Sequence, residues 1–242
     1  MITGVAGHEI NLQVLRQIDV EVLARAHAIS APMLRDSDGS GDPSHSQTHS
    51  QTYQMWVDSV GAYLLCCGAQ VRIGGLSRSV ADSAEIALMS NLSRCHARIV
   101  RSGEVWLLEP LGPTTIDGRP VTKQRLLQDG NLVRLGESVE LRFRQPSLLS
   151  GTARIDFESG HQTQTAVDGV ILFAETCVMG TGPDAHIPAP TGSDRVLLIR
   201  RPTGLWCQAA EGIQVDGVDC GTEVACGLNQ VYAGQGWCFR LE

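Results

Sequence analysis

The sequence predicts an all-β protein with two β-sandwiches in tandem, preceded by an N-terminal amphipathic helix and a flexible linker. Two observations support this fold class. After Tyr53, apolar runs of three to five residues alternate with Gly, Pro and Asp-Gly, a pattern typical of the short strands of a sandwich or barrel. The same order of runs and turns returns about 100 residues later, which indicates an internal repeat.

The chain before Tyr53 divides into two segments. Residues 1–35 are the predicted N-terminal helical segment, because apolar residues recur at helical spacings between residues 9 and 29. This helix either packs on its own domain or pairs with a partner. Residues 36–52 are rich in Gly, Ser and Asp and carry too little apolar surface to order themselves, so we expect a flexible linker.

Residues 53–157 form the first predicted sandwich. An Asp-Gly pair at 117–118 predicts a tight hairpin turn. A last edge strand is expected after a short connection. The candidate strands are residues 63–67, 71–73, 86–88, 97–100, 105–108, 132–135, 139–143 and the edge strand 153–157.

Residues 166–242 form the second predicted sandwich, because they repeat the motifs of the first in the same order. The paired motifs include VDSV at 57–60 and VDGV at 167–170, Ser93 and Ser193, Trp106 and Trp206, and IDG at 116–118 and VDG at 215–217. Since a tryptophan buries a large apolar area, we expect Trp206 and Trp237 to lie in the second core.

Composition limits the class of protein and of partner. The chain has 242 residues, 43% hydrophobic and 19% charged, as in ordinary globular proteins. We predict a cytoplasmic protein that is not embedded in a membrane, because there is no basic start with an apolar stretch and no run of membrane-spanning length. The eight cysteines are expected to be reduced thiols, because they lack paired spacings and an export signal.

Charge argues against a nucleic-acid partner, which needs a clustered basic surface. The net charge is −7, and the cationic residues concentrate in the first copy: residues 53–143 hold 10 Lys and Arg against 9 Asp and Glu, whereas residues 166–242 hold 4 against 9. No metal motif or phosphate-binding glycine loop is found, so we predict no metal and no cofactor.

The segments IGG, EIAL, SRCHARIV, VWLL, TTIDG and LQDGNLVRLG, which lie between residues 73 and 136, resemble the forkhead-associated (FHA) domain family. The resemblance implies that Ser93 donates its hydroxyl to a phosphothreonine, that Arg94 supplies positive charge, and that His96 braces the loop from behind. A phosphothreonine carries nearly two negative charges and three acceptor oxygens, which convergent donors and a guanidinium recognise.

The first copy departs from the family pattern at two positions. The family places a phosphate-binding arginine where this chain has Gly75, and a peptide-binding asparagine where it has Gly112. The family's threonine is present as Thr114, and the resemblance implies that Thr114 binds the phosphorylated peptide together with Ser93 and Arg94. Arg78 lies three residues after Gly75 and is either a substitute for the missing arginine or an ordinary exposed loop residue.

The second copy departs further, because Asp194 replaces the basic neighbour of the serine, Val196 replaces the histidine, and Thr181 stands at the arginine position. We therefore predict a degenerate sandwich that kept its architecture and lost its ligand.

Two functions follow from these features. The chain is predicted to be a non-catalytic protein-interaction module that reads phosphothreonine peptides through its first sandwich. The alternative is a phosphate-independent scaffold or self-association protein, in which the partner is a protein or another copy of this chain. An enzyme is not expected, because neighbouring strand residues such as Cys95 and His96 point apart and no acidic partner orients a nucleophile.

Overall fold

The computed structural model describes residues 51–79, 82–147 and 150–242. The predicted N-terminal helix and residues 36–50 of the predicted linker lie outside these residues. Within them the chain forms 22 strands and no α-helix, so the all-β prediction is confirmed. No described residue belongs to a helix that is long and apolar enough to cross a membrane.

The strands follow the predicted apolar runs closely. Those before residue 150 are β1 (Thr52–Val57), β2 (Gly61–Cys66), β3 (Gln70–Gly75), β4 (Ile86–Leu88), β5 (Ala97–Ser102), β6 (Val105–Pro110), β7 (Thr114–Ile116), β8 (Arg119–Pro120), β9 (Arg125–Leu126), β10 (Leu132–Leu135) and β11 (Val139–Arg144). Those after it are β12 (Ala153–Phe157), β13 (Gly169–Leu172), β14 (Thr176–Gly180), β15 (Ile187–Pro188), β16 (Val196–Arg201), β17 (Gly204–Ala209), β18 (Gln214–Val215), β19 (Val218–Asp219), β20 (Glu223–Ala225), β21 (Val231–Gly234) and β22 (Trp237–Leu241).

Three sheets contain these strands. A central sheet has 12 strands in the order β19-β18-β21-β22-β1-β2-β13-β12-β11-β10-β7-β8. One five-stranded sheet, β4-β3-β5-β6-β9, belongs to the first copy, and another, β15-β14-β16-β17-β20, belongs to the second. Each small sheet packs with its own half of the central sheet, which gives the two predicted sandwiches.

The two copies exchange strands in the central sheet. The β1–β2 hairpin lies in the part of the chain predicted as the first sandwich, yet β1 pairs with β22 of the second copy, with Met55 opposite Leu241. On the other side of the junction, β12 pairs with β13 of the second copy and with β11 of the first copy, with Ile155 opposite Phe143 in the second pairing. The halves meet where β2 and β13 pair in parallel, with Leu64 opposite Val170. We call this arrangement the strand exchange.

The two hydrophobic cores share the central strands. Tyr63 and Leu65 of β2 pack in the second core, whereas Cys66 of β2 packs in the first. On β13, Ile171 belongs to the second core and Val170 to the first. Because side chains alternate between the faces of a strand, one core lies on each face at the junction, as is typical of parallel strands buried on both sides.

The strand exchange changes how the predicted elements fit together. Residues 153–157 form a strand, but it is not an edge strand, because β12 has β11 on one side and β13 on the other. The domain boundaries 53–157 and 166–242 stay predictions.

One core prediction is wrong. Trp206 is half-buried outside the second core, and the Arg201 guanidinium lies 4.5 Å from its ring centroid. Leu205, Cys207 and Ala209 are the buried residues of β17, so this strand runs one residue out of phase with the sequence match to Trp106. Trp237 does lie in the second core.

Candidate functional site

Three loops gather at one end of the first sandwich. They are residues 76–79 and 82–85 between β3 and β4, residues 89–96 between β4 and β5, and residues 111–113 between β6 and β7. Backbone hydrogen bonds join them: Gly75 N donates to Ser93 O at 2.9 Å, and Gly112 N donates to His96 O at 2.8 Å. We call this region the loop end of the first sandwich. Four of the five predicted site residues lie in these hydrogen-bonded segments or directly beside them, namely Ser93, Arg94, His96 and Thr114.

Ser93 and Arg94 are the exposed pair of this loop end. Within the described residues, the Ser93 hydroxyl has no hydrogen-bond partner. The Arg94 guanidinium Nη1 lies 3.3 Å from Asp82 Oδ2, and both side chains are largely exposed, at 68% and 59%. An exposed ion pair of this kind contributes about 0–1 kcal/mol, so an incoming anion can compete with Asp82 for the guanidinium.

His96 is buried behind these residues. Its Nε2 lies 2.9 Å from the Pro113 carbonyl oxygen, and since a carbonyl only accepts, Nε2 carries the proton and donates. The His96 ring therefore links β5 to the loop before β7. A Cβ atom built on Gly112 would lie 2.4 Å from the ring atom Cε1, so the family's asparagine cannot stand there without moving the ring.

Thr114 is buried at the start of β7. Its hydroxyl Oγ1 donates to the Gly112 carbonyl at 3.0 Å. This bond holds the 111–113 loop in shape. Because it uses the hydroxyl proton of Thr114, that proton is not available to a ligand unless the bond breaks.

Gly75 explains the missing arginine. The residue is buried, and a Cβ atom at this position would lie 2.5 Å from the Leu92 carbonyl oxygen. The backbone of the 89–96 loop thus occupies the space in which a side chain would begin. Arg78 is exposed on the neighbouring loop and has no ion pair or hydrogen bond within the described part of the chain.

The sequence reasoning missed an apolar component of this end. Leu76, Met89 and Leu111 are 46%, 52% and 52% exposed, and each directly follows a strand or lies in one of the three loops. Large apolar residues just beyond strand ends were the available signal. They provide contact area for a partner beside the polar groups.

The corresponding end of the second copy is closed by its own contacts. Ser193 Oγ donates to the Gly236 carbonyl at 2.6 Å. The Asp194 carboxylate accepts from Arg195 N at 2.7 Å and from Glu211 N at 3.1 Å. Both side chains hydrogen-bond to backbone atoms of the second copy. Of the two serines, only Ser93 of the first copy therefore presents a free hydroxyl.

Fold and loops together define a β-sandwich protein whose polar loop end is its candidate binding surface. The family model of the FHA domain matches residues 78–136. A search of curated proteins found no match, whereas several solved structures are similar. One comes from a structural and functional analysis of phosphothreonine-dependent FHA domain interactions, with 31% identity, 36% of this chain and 88% of that chain covered, and a TM-score of 0.26.

Two further solved structures give the same result. The FHA structure of Rv0020c is 31% identical and covers 38% of this chain and 90% of its own, with a TM-score of 0.25. The FHA domain of FhaA in complex with the intracellular domain of Rv3910 is 32% identical and covers 35% and 91%, with a TM-score of 0.25. The chain belongs to the FHA domain family, whose members are non-catalytic protein-interaction modules.

Proposed function

We propose that the first sandwich binds phosphothreonine peptides of a protein partner through its loop end. The main support is the contrast between the two serines: the Ser93 hydroxyl is exposed and unpaired within the described residues, whereas Ser193 Oγ is bound to Gly236 O. In this proposal Ser93 and Arg94 contact the phosphate, and Arg78 adds charge from the next loop. His96 and Thr114 hold the loops in place.

The electrostatics of the loop end favour a dianion over a neutral group. Arg94 exchanges a solvent-exposed carboxylate, Asp82, for a phosphate that accepts charge-assisted hydrogen bonds. The neighbouring apolar side chains of Leu76, Met89 and Leu111 are available to peptide side chains on either side of the phosphothreonine. The phosphate thus supplies the charge recognition and the loops supply contact area.

The competing proposal is a scaffold or self-association function that needs no phosphate. The observation behind it is Gly75, which leaves no room for the family's phosphate-binding arginine. In that case the same apolar loop residues bind an unmodified protein, or a second copy of this chain. The predicted cytoplasmic location is common to both proposals.

A peptide-binding experiment separates the two. The purified full chain is tested against an oriented phosphothreonine peptide library and against the same peptides without phosphate. We expect phosphate-dependent binding that weakens about tenfold or more in Ser93→Ala, since a hydrogen bond to a charged group is lost. Ser193→Ala is the matched control and keeps full affinity. Equal binding of both peptide forms supports the scaffold function instead.

A further inference from the structure

A second positively charged site lies away from the loop end. A cavity of about 450 Å³ is lined by Arg101, Arg200, Arg201, Tyr53, Glu175 and Cys67, among others. Arg101 is near the end of β5, whereas Ser93 precedes the start of that strand. At about 3.3 Å per strand residue, the length of β5 keeps the cavity apart from the loop end. We call this cavity the arginine pocket.

Both copies contribute equivalent arginines to the pocket. Arg101 N donates to Ala69 O at 2.7 Å, and Arg200 N donates to Glu175 O at 2.8 Å. Ala69 follows β2 and Glu175 follows β13, so the two acceptors lie in the connections that leave the paired central strands. The strand exchange therefore brings one arginine from each copy to the same place.

Two of the three guanidinium groups in this pocket, those of Arg101 and Arg200, have no ion pair within the described residues. Arg201 is held by an ion pair with Glu223. Arg200 donates to the Cys67 carbonyl, a neutral acceptor. Arg101 is half-buried, and its guanidinium has no ion pair or hydrogen bond within the residues that the structure describes. Glu175 is the only carboxylate among the residues lining the pocket.

This concentration of positive charge is unusual for the chain, whose net charge is −7. Arg200 is exposed, whereas Arg101 is half-buried. A guanidinium that is partly removed from water without a partner is unfavourable, so an anion in the pocket relieves that cost for Arg101. Guanidinium groups bind tetrahedral phosphate through paired hydrogen bonds. The cavity volume lies within the range of small-ligand sites, about 300–1,000 Å³, and exceeds the size of a single phosphate group.

We propose that the arginine pocket binds a small ligand carrying phosphate groups, such as a pyrophosphate or an organic phosphate ester. Arg101 and Arg200 contact the phosphate oxygens. Arg201, fixed by Glu223 and stacked on Trp206, forms a charged wall. The site is built by both copies together and is independent of phosphopeptide binding at the loop end.

The proposal is tested by calorimetric titration of the full chain with inorganic pyrophosphate, inorganic phosphate and a phosphothreonine peptide in separate arms. We expect pyrophosphate to bind with a stoichiometry near one and more tightly than phosphate. Arg101→Gln and Arg200→Gln each weaken pyrophosphate binding about tenfold or more, because a charge-assisted contact is lost. Arg119→Gln, an exposed arginine on β8, is the matched control and leaves binding unchanged.

Ser93→Ala separates this proposal from the proposed function. If both proposals hold, Ser93→Ala weakens phosphopeptide binding and leaves pyrophosphate binding intact. Either proposal can fail while the other stands, because the two sites do not share residues. If an arginine variant does not fold by circular dichroism, phenylglyoxal modification of the unaltered protein with mass spectrometry replaces it, and pyrophosphate is expected to protect Arg101. Absence of pyrophosphate binding, equal loss in Arg119→Gln, or no protection of Arg101 overturns the proposal.

Discussion

Two glycines determine which side chains the loop end can carry. Gly75 faces the backbone carbonyl of Leu92, and Gly112 faces the ring of His96. In each case the contact atom belongs to a neighbouring loop or strand that is fixed by its own hydrogen bonds. The two positions that carry an arginine and an asparagine in the family are therefore closed by packing in this chain.

Restoring the arginine should harm the fold instead of improving binding. Gly75→Arg places a Cβ atom 2.5 Å from a backbone oxygen, and overpacking of this kind costs about 1–3 kcal/mol. We expect a lower free energy of unfolding in urea and no gain in phosphopeptide affinity. Gly160→Ala, with no atom near its added Cβ, is the control and stays close to the unaltered protein. A tighter-binding, fully stable Gly75→Arg variant contradicts this account.

The sequence predicts which polar residues lie at the loop end, but not whether each side chain is exposed or hydrogen-bonded within the protein. Ser93 and Ser193 are equivalent in the sequence repeat, yet only the structure shows that one hydroxyl is exposed and the other is bound to Gly236 O. Trp206 shows a related limit. A shift of one residue within a strand reverses the face of every side chain, and a match between two copies does not reveal such a shift.

At the level of elements, the strands were predictable and their pairing was not. Apolar runs and Gly turns are local features, and β4, β10 and β12 begin and end where those runs predict. Which strand lies beside β22 is a long-range choice. β1 and β12 have equivalent places in the sheet, because each pairs with a central strand, β2 or β13, and with the last strand of a sandwich, β22 or β11. The apolar pattern of either strand suits both positions, so the sequence does not distinguish the two arrangements.

The β1–β2 hairpin should be essential for the second sandwich. Met55, Val57 and Leu65 are buried in the second core, and burying three such side chains contributes about 5–9 kcal/mol, comparable with the whole stability of a domain, about 5–15 kcal/mol. A fragment of residues 166–242 is therefore expected to be unfolded by circular dichroism. Adding a peptide of residues 51–66 should induce β structure. A peptide with Met55→Ala and Leu65→Ala is the control and should be much less effective.

The fragment 166–242 alone decides this prediction. If it unfolds cooperatively on heating without the peptide, the second copy is an independent domain and the hairpin is only an accessory strand. The boundary predicted from the sequence at residue 166 then describes a folding unit as well as a repeat.

The whole described molecule is one unit built around a single 12-stranded sheet. The chain passes from the second half of that sheet at β2 into the first sandwich, and returns through β13 into the second. The arginine pocket lies at these two connections. An anion bound there contacts both copies, so we expect ligand binding and the stability of the exchanged arrangement to be coupled.

Shared central strands predict that both copies unfold together. Tandem domains joined by a linker often unfold in separate steps, but here β2 and β13 each supply side chains to both cores. We expect one calorimetric transition for the full chain. Met55→Ala in the second core and Leu135→Ala in the first should each destabilise that same transition by about 2–5 kcal/mol, while the exposed substitution Thr52→Ala changes it little. Two transitions, each sensitive to only one of the core substitutions, would show that the copies fold independently despite their common sheet.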